Sequence, residues 1–409
     1  MCTKPIPAVK NMLIIDPLAD GHHTTFVSHI AGSLIQKGHT VLSCHPNNKL
    51  VMEWLQKRNV SADKFIPLKD LKLSLFEDKE YGKLQTILIQ IKKWLQLRKT
   101  ISESSALGYK IEIVLLPYID SFYLPGIFRF ILKFIFPYPW ICVCIRPPHD
   151  NRKNKVMEIF NNTHSIFLSN YCKAIGLLEE DLVFGGNDQS GYKHKLVLFP
   201  DFAEEEVFQK PYDIVQEIRQ KAGKRRTIGT LGSLCKRKGI LALLKVAERS
   251  MTKPWYFIFA GQFAGYSFTK DENKYIADFI ASARENCYFH LYQIPDEPHF
   301  NAILSTCDIL TLLYENFPFS SNFFSKAALF HKLVIGTGSY CIGNRISKYQ
   351  FGVTAGCNDI QRIITSIDYL TLNYDTLIKS AKFEEYLRLH SKQNIGTCLE
   401  EMLKRANEF

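Results

Sequence analysis

Short continuous apolar runs alternate with amphipathic stretches along the whole chain, and that alternation restricts the fold more than any single motif does. In the first half, the runs at residues 12–16, 39–44, 65–68, 111–116, 140–145, 165–168 and 196–199 read as strands. Between the first two, Phe26, Ile30, Leu34 and Ile35 fall at helical spacing, and Gly38 stops that helix. Further helices are expected near residues 50–58, 81–100 and 122–136. The second half repeats the pattern, with strands at 227–231, 255–260, 288–292, 309–314, 333–336 and 353–355. Its helices are expected near 240–249, 273–284, 300–305, 323–331 and 360–370, followed by a terminal helical stretch over 383–407. Runs that are apolar throughout suit strands covered on both faces, and strands alternating with helices imply parallel pairing. The expectation is an α/β chain of two Rossmann-like, doubly wound domains facing a central cleft. Pro200-Asp201 and then Glu204-Glu205-Glu206 turn the composition polar, so a linker is expected between about residues 200 and 224. The division is then residues 1–205, residues 206–380, and residues 381–409 as a helix returning to the first domain. A length of 409 residues with 46% hydrophobic side chains is enough for two such cores.

Charge narrows the ligand class. A formal net charge of +11 favours anions, without choosing between nucleotide, nucleic acid and acidic lipid surface. The charge is spread and no nucleic-acid-binding module is recognisable, so nucleic acid is the weakest of the three. The eleven cysteines form no C-x-x-C pair and no cluster with histidine at zinc spacing. Reduced thiols in a cytoplasmic compartment fit that pattern, and no metal site is expected. The first apolar run is too short for a secretory signal and ends in Asp16-Pro17, so it reads as a first strand.

Two stretches of the second half carry candidate chemistry. Residues 226–239, RTIGTLGSLCKRKG, read as a strand, a Gly232-Ser233 turn, three adjacent cations and a helix opened by Gly239. A helix N-terminus after a strand offers free N–H groups and a positive dipole end, and its natural ligand is phosphate. An ordinary strand-to-helix junction with a solvated basic loop is the plainer alternative. The second stretch is Tyr314-Glu315-Asn316-Phe317-Pro318-Phe319-Ser320-Ser321-Asn322, which also follows a strand and precedes a helix. Ser320, Ser321 and Asn322 are good N-cap residues, so the stretch is either a capped helix or a second anion or hydroxyl site. In the latter case Glu315 accepts sugar hydroxyls.

These motifs resemble the donor domain of GT-B glycosyltransferases, in the large retaining group called family 4. The family writes a strand, then Gly-Arg-Leu, three residues, and Lys-Gly; this chain has Gly232-Ser233-Leu234-Cys235-Lys236-Arg237-Lys238-Gly239 at the same spacing. Phe257–Gly261, Cys307–Leu310 and Lys326–Ile335 are similar to later family segments, as are Gly21-His22-His23, Gly38–Val41 and Pro200-Asp201 in the first half. The resemblance implies a glycosyltransferase using a nucleotide-diphosphate sugar, with a glycan or lipid-linked acceptor, a retaining outcome, and neither metal nor other cofactor. Lys238, which keeps the place of the family lysine, the backbone near Gly232 and Ser233, and Ser320, Ser321 and Asn322 are the expected donor and phosphate contacts. The chain also departs from the family. The phosphate-binding Arg is Ser233 here, and the second glutamate of a paired-glutamate motif falls on Lys326. The first would fall on Pro318, three residues from Glu315. Glu315 is thus the candidate sugar ligand, with the Ser-Ser-Asn turn standing in for the missing carboxylate. No Asp-x-Asp motif occurs, in keeping with a diphosphate stabilised by cations and helix dipoles.

In the first half, His22, His23 and His149 follow expected strand ends. His22 and His149 are candidate catalytic groups, and Gly21 and His23 candidate acceptor-side groups; a plain loop or cap histidine is the alternative for each. Two basic apolar stretches remain, residues 84–99 and 127–136, the latter bounded by Pro137 and Pro139 and too short to span a bilayer. They either cover the sheet or rest peripherally on an anionic membrane face, which from the cytoplasm is the inner one. Two other functions stay open: a nucleotide-sugar epimerase on the same frame, and a non-catalytic partner subunit, for which Ser233 and Lys326 argue.

Overall fold

The structure is a computed structural model that describes residues 10–19, 23–68, 83–124, 128–147, 163–185 and 191–408. The chain divides into two compact units: Met1–Pro200 with Lys392–Phe409, and Asp201–Ser391.

The first unit is built on a seven-stranded sheet in the order β3-β2-β1-β4-β5-β6-β7. Its strands are β1 (Asn11–Ile15), β2 (Thr40–Cys44), β3 (Phe65–Pro67), β4 (Ile113–Leu116), β5 (Trp140–Cys144), β6 (Cys172–Leu177) and β7 (Leu196–Leu198). Every pairing is parallel. β4 and β5 are buried along their whole length, as strands covered by helices on both faces must be. Trp94 anchors one face: its ring lies 5.2–5.8 Å from those of Phe122, Phe136 and Trp140, and its indole N–H donates to the Phe122 carbonyl at 2.9 Å.

One expected strand is not a strand. Residues 165–168 lie within the 3₁₀ turn Thr163–Leu168, and the strand is β6 just after it. Ile166 and Phe167 are apolar because they are buried core. Lys173 and Gly176 break the apolar run of β6; a Cβ at Gly176 would stand 3.0 Å from that of Phe199. The helix expected over 122–136 is confined to Arg129–Ile135, and a 3₁₀ turn, Ile119–Phe122, precedes it.

The second unit has a six-stranded sheet in the order β10-β9-β8-β11-β12-β13. The strands are β8 (Arg226–Leu231), β9 (Trp255–Ala260), β10 (Cys287–His290), β11 (Ile309–Leu312), β12 (Leu333–Gly336) and β13 (Gly352–Thr354), again all parallel. The strand order reverses between β8 and β11, and in such sheets ligands bind beyond the carboxyl ends at that reversal.

The expected linker 200–224 contains the helix Asp213–Ala222, whose Val215, Ile218 and Ala222 are buried. Its polar outer face hid it among the charges. A further helix missing from the sequence reading, Tyr340–Tyr349, buries Ile342, Arg345, Ile346 and Tyr349. The terminal stretch is two helices rather than one. Phe383–His390 packs within the second unit, through Phe383 and Tyr386. Asn394–Glu408 lies in the first unit and buries Ile395, Leu399, Met402 and Leu403. There Arg405 Nη1 donates to the carbonyls of His194 (2.8 Å) and Leu196 (2.6 Å).

Candidate functional site

The two stretches singled out in the second half leave adjacent strands at the reversal of the sheet. β8 ends at Leu231 and β11 at Leu312, and the Glu315 N–H donates to the Arg237 carbonyl at 2.8 Å, joining the loops. Gly232 (φ 89°) and Gly239 (φ 70°) take the left-handed backbone that turns the chain around the loop. A Cβ on Gly232 would stand 3.1 Å from Lys238 Nζ, and one on Gly239 would stand 2.7 Å from the Leu313 carbonyl oxygen. The glycines therefore hold Lys238 close against the strand end.

Lys238 is partly buried, and its ammonium donates to the Leu231 carbonyl at 2.7 Å. It also lies 5.8 Å from the ring of Phe323, the second residue of the helix Asn322–Leu329. Among the described residues it has no carboxylate partner. Burial pulls its pKa down from 10.5 to about 8, as expected for a cation short of counter-charge. Its neighbour Lys236 is neutralised by Glu272 at 2.6 Å. Arg237 sits over the Phe317 ring at 4.4 Å. The Glu315 carboxylate is partly buried and has no hydrogen-bond or ion-pair partner among the described residues. Asn316 beside it takes φ 49°, a conformation asparagine tolerates better than most residues. Ser233 is exposed at the mouth of the loop.

The Ser-Ser-Asn turn is used differently from the sequence expectation. The Ser320 hydroxyl is buried between Asp201 and Arg345, donating to the Asp201 carboxylate and accepting from Arg345 Nη1 at 2.5 Å. The Ser321 hydroxyl caps the Phe323 N–H at 3.4 Å and pairs with the Tyr314 hydroxyl at 3.0 Å. The Asn322 side-chain amide donates to the Phe202 carbonyl at 2.6 Å. All three side chains are thus engaged by the protein. The main-chain N–H of Asn322, the first residue of that helix, has no partner among the described residues.

Asp201 and Arg345, which carry this arrangement, were not legible as a pair in the sequence because 144 residues separate them. Arg345 Nη1 is 2.6 Å from Asp201 Oδ2, and both side chains are nearly sealed from water. Lys326 is also buried. It meets Glu297 Oε2 at 2.5 Å and Asn301 Oδ1 at 2.6 Å, and burial lowers its pKa.

In the first unit, His23 opens the helix His23–Gln36, and its Nδ1–H donates to Asp16 Oδ2 at 2.8 Å. The His23 ring meets the Tyr118 ring edge-on at 4.8 Å between centroids. Asp16 itself was missed as a partner; the signal was a carboxylate immediately after a strand, before proline. Gly21, His22 and His149 lie outside the described residues.

The fold can be matched to solved structures. HepE of Anabaena, in complex with UDP and glucose, superposes with a TM-score of 0.63 at 13% identity, covering 97% of this chain and 99% of that one. The fold is GT-B. A glycosyltransferase from Rickettsia africae ESF-5 matches at TM-score 0.63 and 14% identity over 98% and 99% of the two chains. Sucrose-phosphate synthase from Thermosynechococcus elongatus matches at 0.65 and 13% over the same shares, 98% and 99%. No protein-family model and no curated protein sequence matches this chain.

Proposed function

We propose that the protein is a glycosyltransferase that moves a sugar from a nucleoside-diphosphate sugar to a glycan or lipid-linked acceptor. The observation that carries this reading is Lys238: a cation with no carboxylate partner among the described residues, at the strand-order reversal and 5.8 Å from the ring of Phe323 in the first turn of the next helix. A diphosphate satisfies both the ammonium and the free amide, and its departure with the electron pair is what such a site stabilises. No metal is needed in this arrangement, and turnover should survive a chelator. Glu315, whose N–H bonds the Arg237 carbonyl of the Lys238 loop and whose carboxylate is unengaged among the described residues, is the proposed acceptor of hydroxyl hydrogen bonds from the transferred sugar. UDP is the natural first probe, since HepE was solved with UDP-glucose.

A thermal-shift series with UDP, GDP and ADP tests the reading, because a ligand bound only by the folded state raises the melting temperature. At least one diphosphate should shift the wild type, and Lys238→Ala should lose most of the shift. Glu315→Gln should keep the shift with the bare nucleotide and lose turnover. If Glu315→Gln weakens the bare nucleotide as much as the nucleotide sugar, Glu315 is a ribose contact instead. A second reading, a non-catalytic partner subunit, is favoured by the engagement of Ser320, Ser321 and Asn322 within the fold. Nucleotide binding without any hydrolysis of the donor by the isolated chain would decide for it.

A further inference from the structure

The helix Lys83–Ala106 buries one side in the first unit's core through Trp94, Leu97 and Ile101. The opposite side carries Leu88 (57% exposed) and Leu95 (45% exposed), with Lys92 and Lys99 also exposed. At the helical repeat, Leu88, Lys92, Leu95 and Lys99 fall within about 60° of one another, a single stripe of alternating leucine and lysine. Beside it the helix Arg129–Ile135 exposes Phe130 (58%), Ile131 (41%) and Phe134 (70%). Arg98 Nη1 ties the helices together by donating to the Phe134 carbonyl at 3.1 Å. Lys133 Nζ stands 4.8 Å from the centre of the Phe134 ring. The first helix has no acid before Glu103, which lies 3.6 Å from Lys99, and the second has none.

Scattered exposed apolar residues need no explanation, but large ones gathered on two adjoining helices whose cations outnumber their one acid, Glu103, do. The sheet does not need them, since its core is already filled by Trp94, Phe122, Phe136 and Trp140. We propose that this face docks peripherally on an anionic lipid bilayer. Phe134, Ile131 and the two leucines would enter the boundary between headgroups and acyl chains, while Lys92, Arg98, Lys99 and Lys133 meet lipid phosphates. Charge decides between occupants: a second copy of the same face would set cation against cation, whereas an anionic bilayer answers both the charge and the apolar surface. No helix among the described residues is long and apolar enough to cross a membrane, so the contact is interfacial. The proposal is independent of the nucleotide reading, because vesicle binding requires no donor.

The test is co-sedimentation of the purified full chain with vesicles of phosphatidylcholine mixed with phosphatidylserine, and with phosphatidylcholine alone. The chain should bind the mixed vesicles, less at high salt, and bind the neutral ones weakly. Leu95→Gln with Phe134→Gln should lower the affinity at least about tenfold, and Lys92→Glu with Lys99→Glu by a similar factor. All four side chains are exposed, so an unchanged melting temperature serves as the folding control. Wild-type protein left in the supernatant, or variants that bind as tightly as wild type, would overturn the proposal. So would a concentration-dependent dimer, abolished by Leu95→Gln with Phe134→Gln, in a protein that ignores vesicles: a second copy would then cover the face.

Discussion

At the scale of single residues, Lys238 concentrates the candidate chemistry in one proton. Its folded pKa of about 8 lies below the usual 10.5, so the folded chain is penalised for carrying the charge. That penalty is full below about pH 8 and is relieved as pH rises towards the unfolded value, so this group's contribution to stability rises with pH across that window. A bound anion reverses the preference and holds the proton. Nucleoside diphosphate affinity should therefore weaken as pH rises through about 8, and the Lys238→Ala variant should show no such slope. At neutral pH the same substitution should cost at least about 1.5 kcal/mol of binding. Calorimetric titration across the pH range measures both effects, and a wild-type affinity flat through the window would remove Lys238 from the site.

At the scale of elements, the start of the second unit is fastened by a buried charge pair. Asp201 meets Arg345 at 2.6 Å, and the Ser325 hydroxyl donates to the Asp201 carbonyl at 2.5 Å. The Tyr386 hydroxyl lies 2.7 Å from that of Ser325. Three helices, Asn322–Leu329, Tyr340–Tyr349 and Phe383–His390, thereby close on one residue, Asp201: the first on its carbonyl, the other two on its carboxylate. Arg345→Met leaves that carboxylate buried with hydroxyls alone, and should cost about 3–5 kcal/mol in denaturant unfolding. A loss below about 1 kcal/mol would mean that water reaches the pair. The terminal helix Asn394–Glu408 does the corresponding work in the first unit. Ending the chain at Ser391 uncovers the surface sealed by Ile395, Leu399, Met402 and Leu403. The truncated protein should partition into the insoluble fraction on expression, and a soluble product with an unchanged first unfolding transition would contradict this.

At the scale of the molecule, the two units differ in how the chain builds them. The first takes its material from both ends, Met1–Pro200 and Lys392–Phe409, while the second is the single segment Asp201–Ser391. The second also contains Gly232, Lys238, Glu315 and the Asn322–Leu329 helix together. Residues 201–391 expressed alone should fold, having two apolar cores of their own on either side of the sheet. They should also keep the thermal shift with whichever nucleoside diphosphate stabilises the full chain. At a ligand concentration of a hundred times Kd that stabilisation is about 2.7 kcal/mol. A folded fragment without the shift would place part of the binding energy elsewhere in the chain.

The sequence by itself determined the class of fold. A parallel sheet covered on both faces needs strands without polar interruptions, and runs such as Trp255–Ala260 and Leu333–Gly336 show that directly. It also located Gly232, Lys238 and Gly239, because a turn between strand and helix is a local event that glycine spacing records. Strand β6 was hidden, since Gly176 is demanded by Phe199 across the fold and looks from the chain like a break. The Asp213–Ala222 helix was hidden by its charged outer face. Only the tertiary structure decided what the polar side chains do. It set Ser320 beside Asp201 and Arg345, Lys326 beside Glu297, and His23 beside Asp16, leaving Lys238 and Glu315 without an ion-pair partner among the described residues. Which charges are compensated depends on residues brought together across the sheet and its helices, and one-dimensional spacing carries no record of those distances.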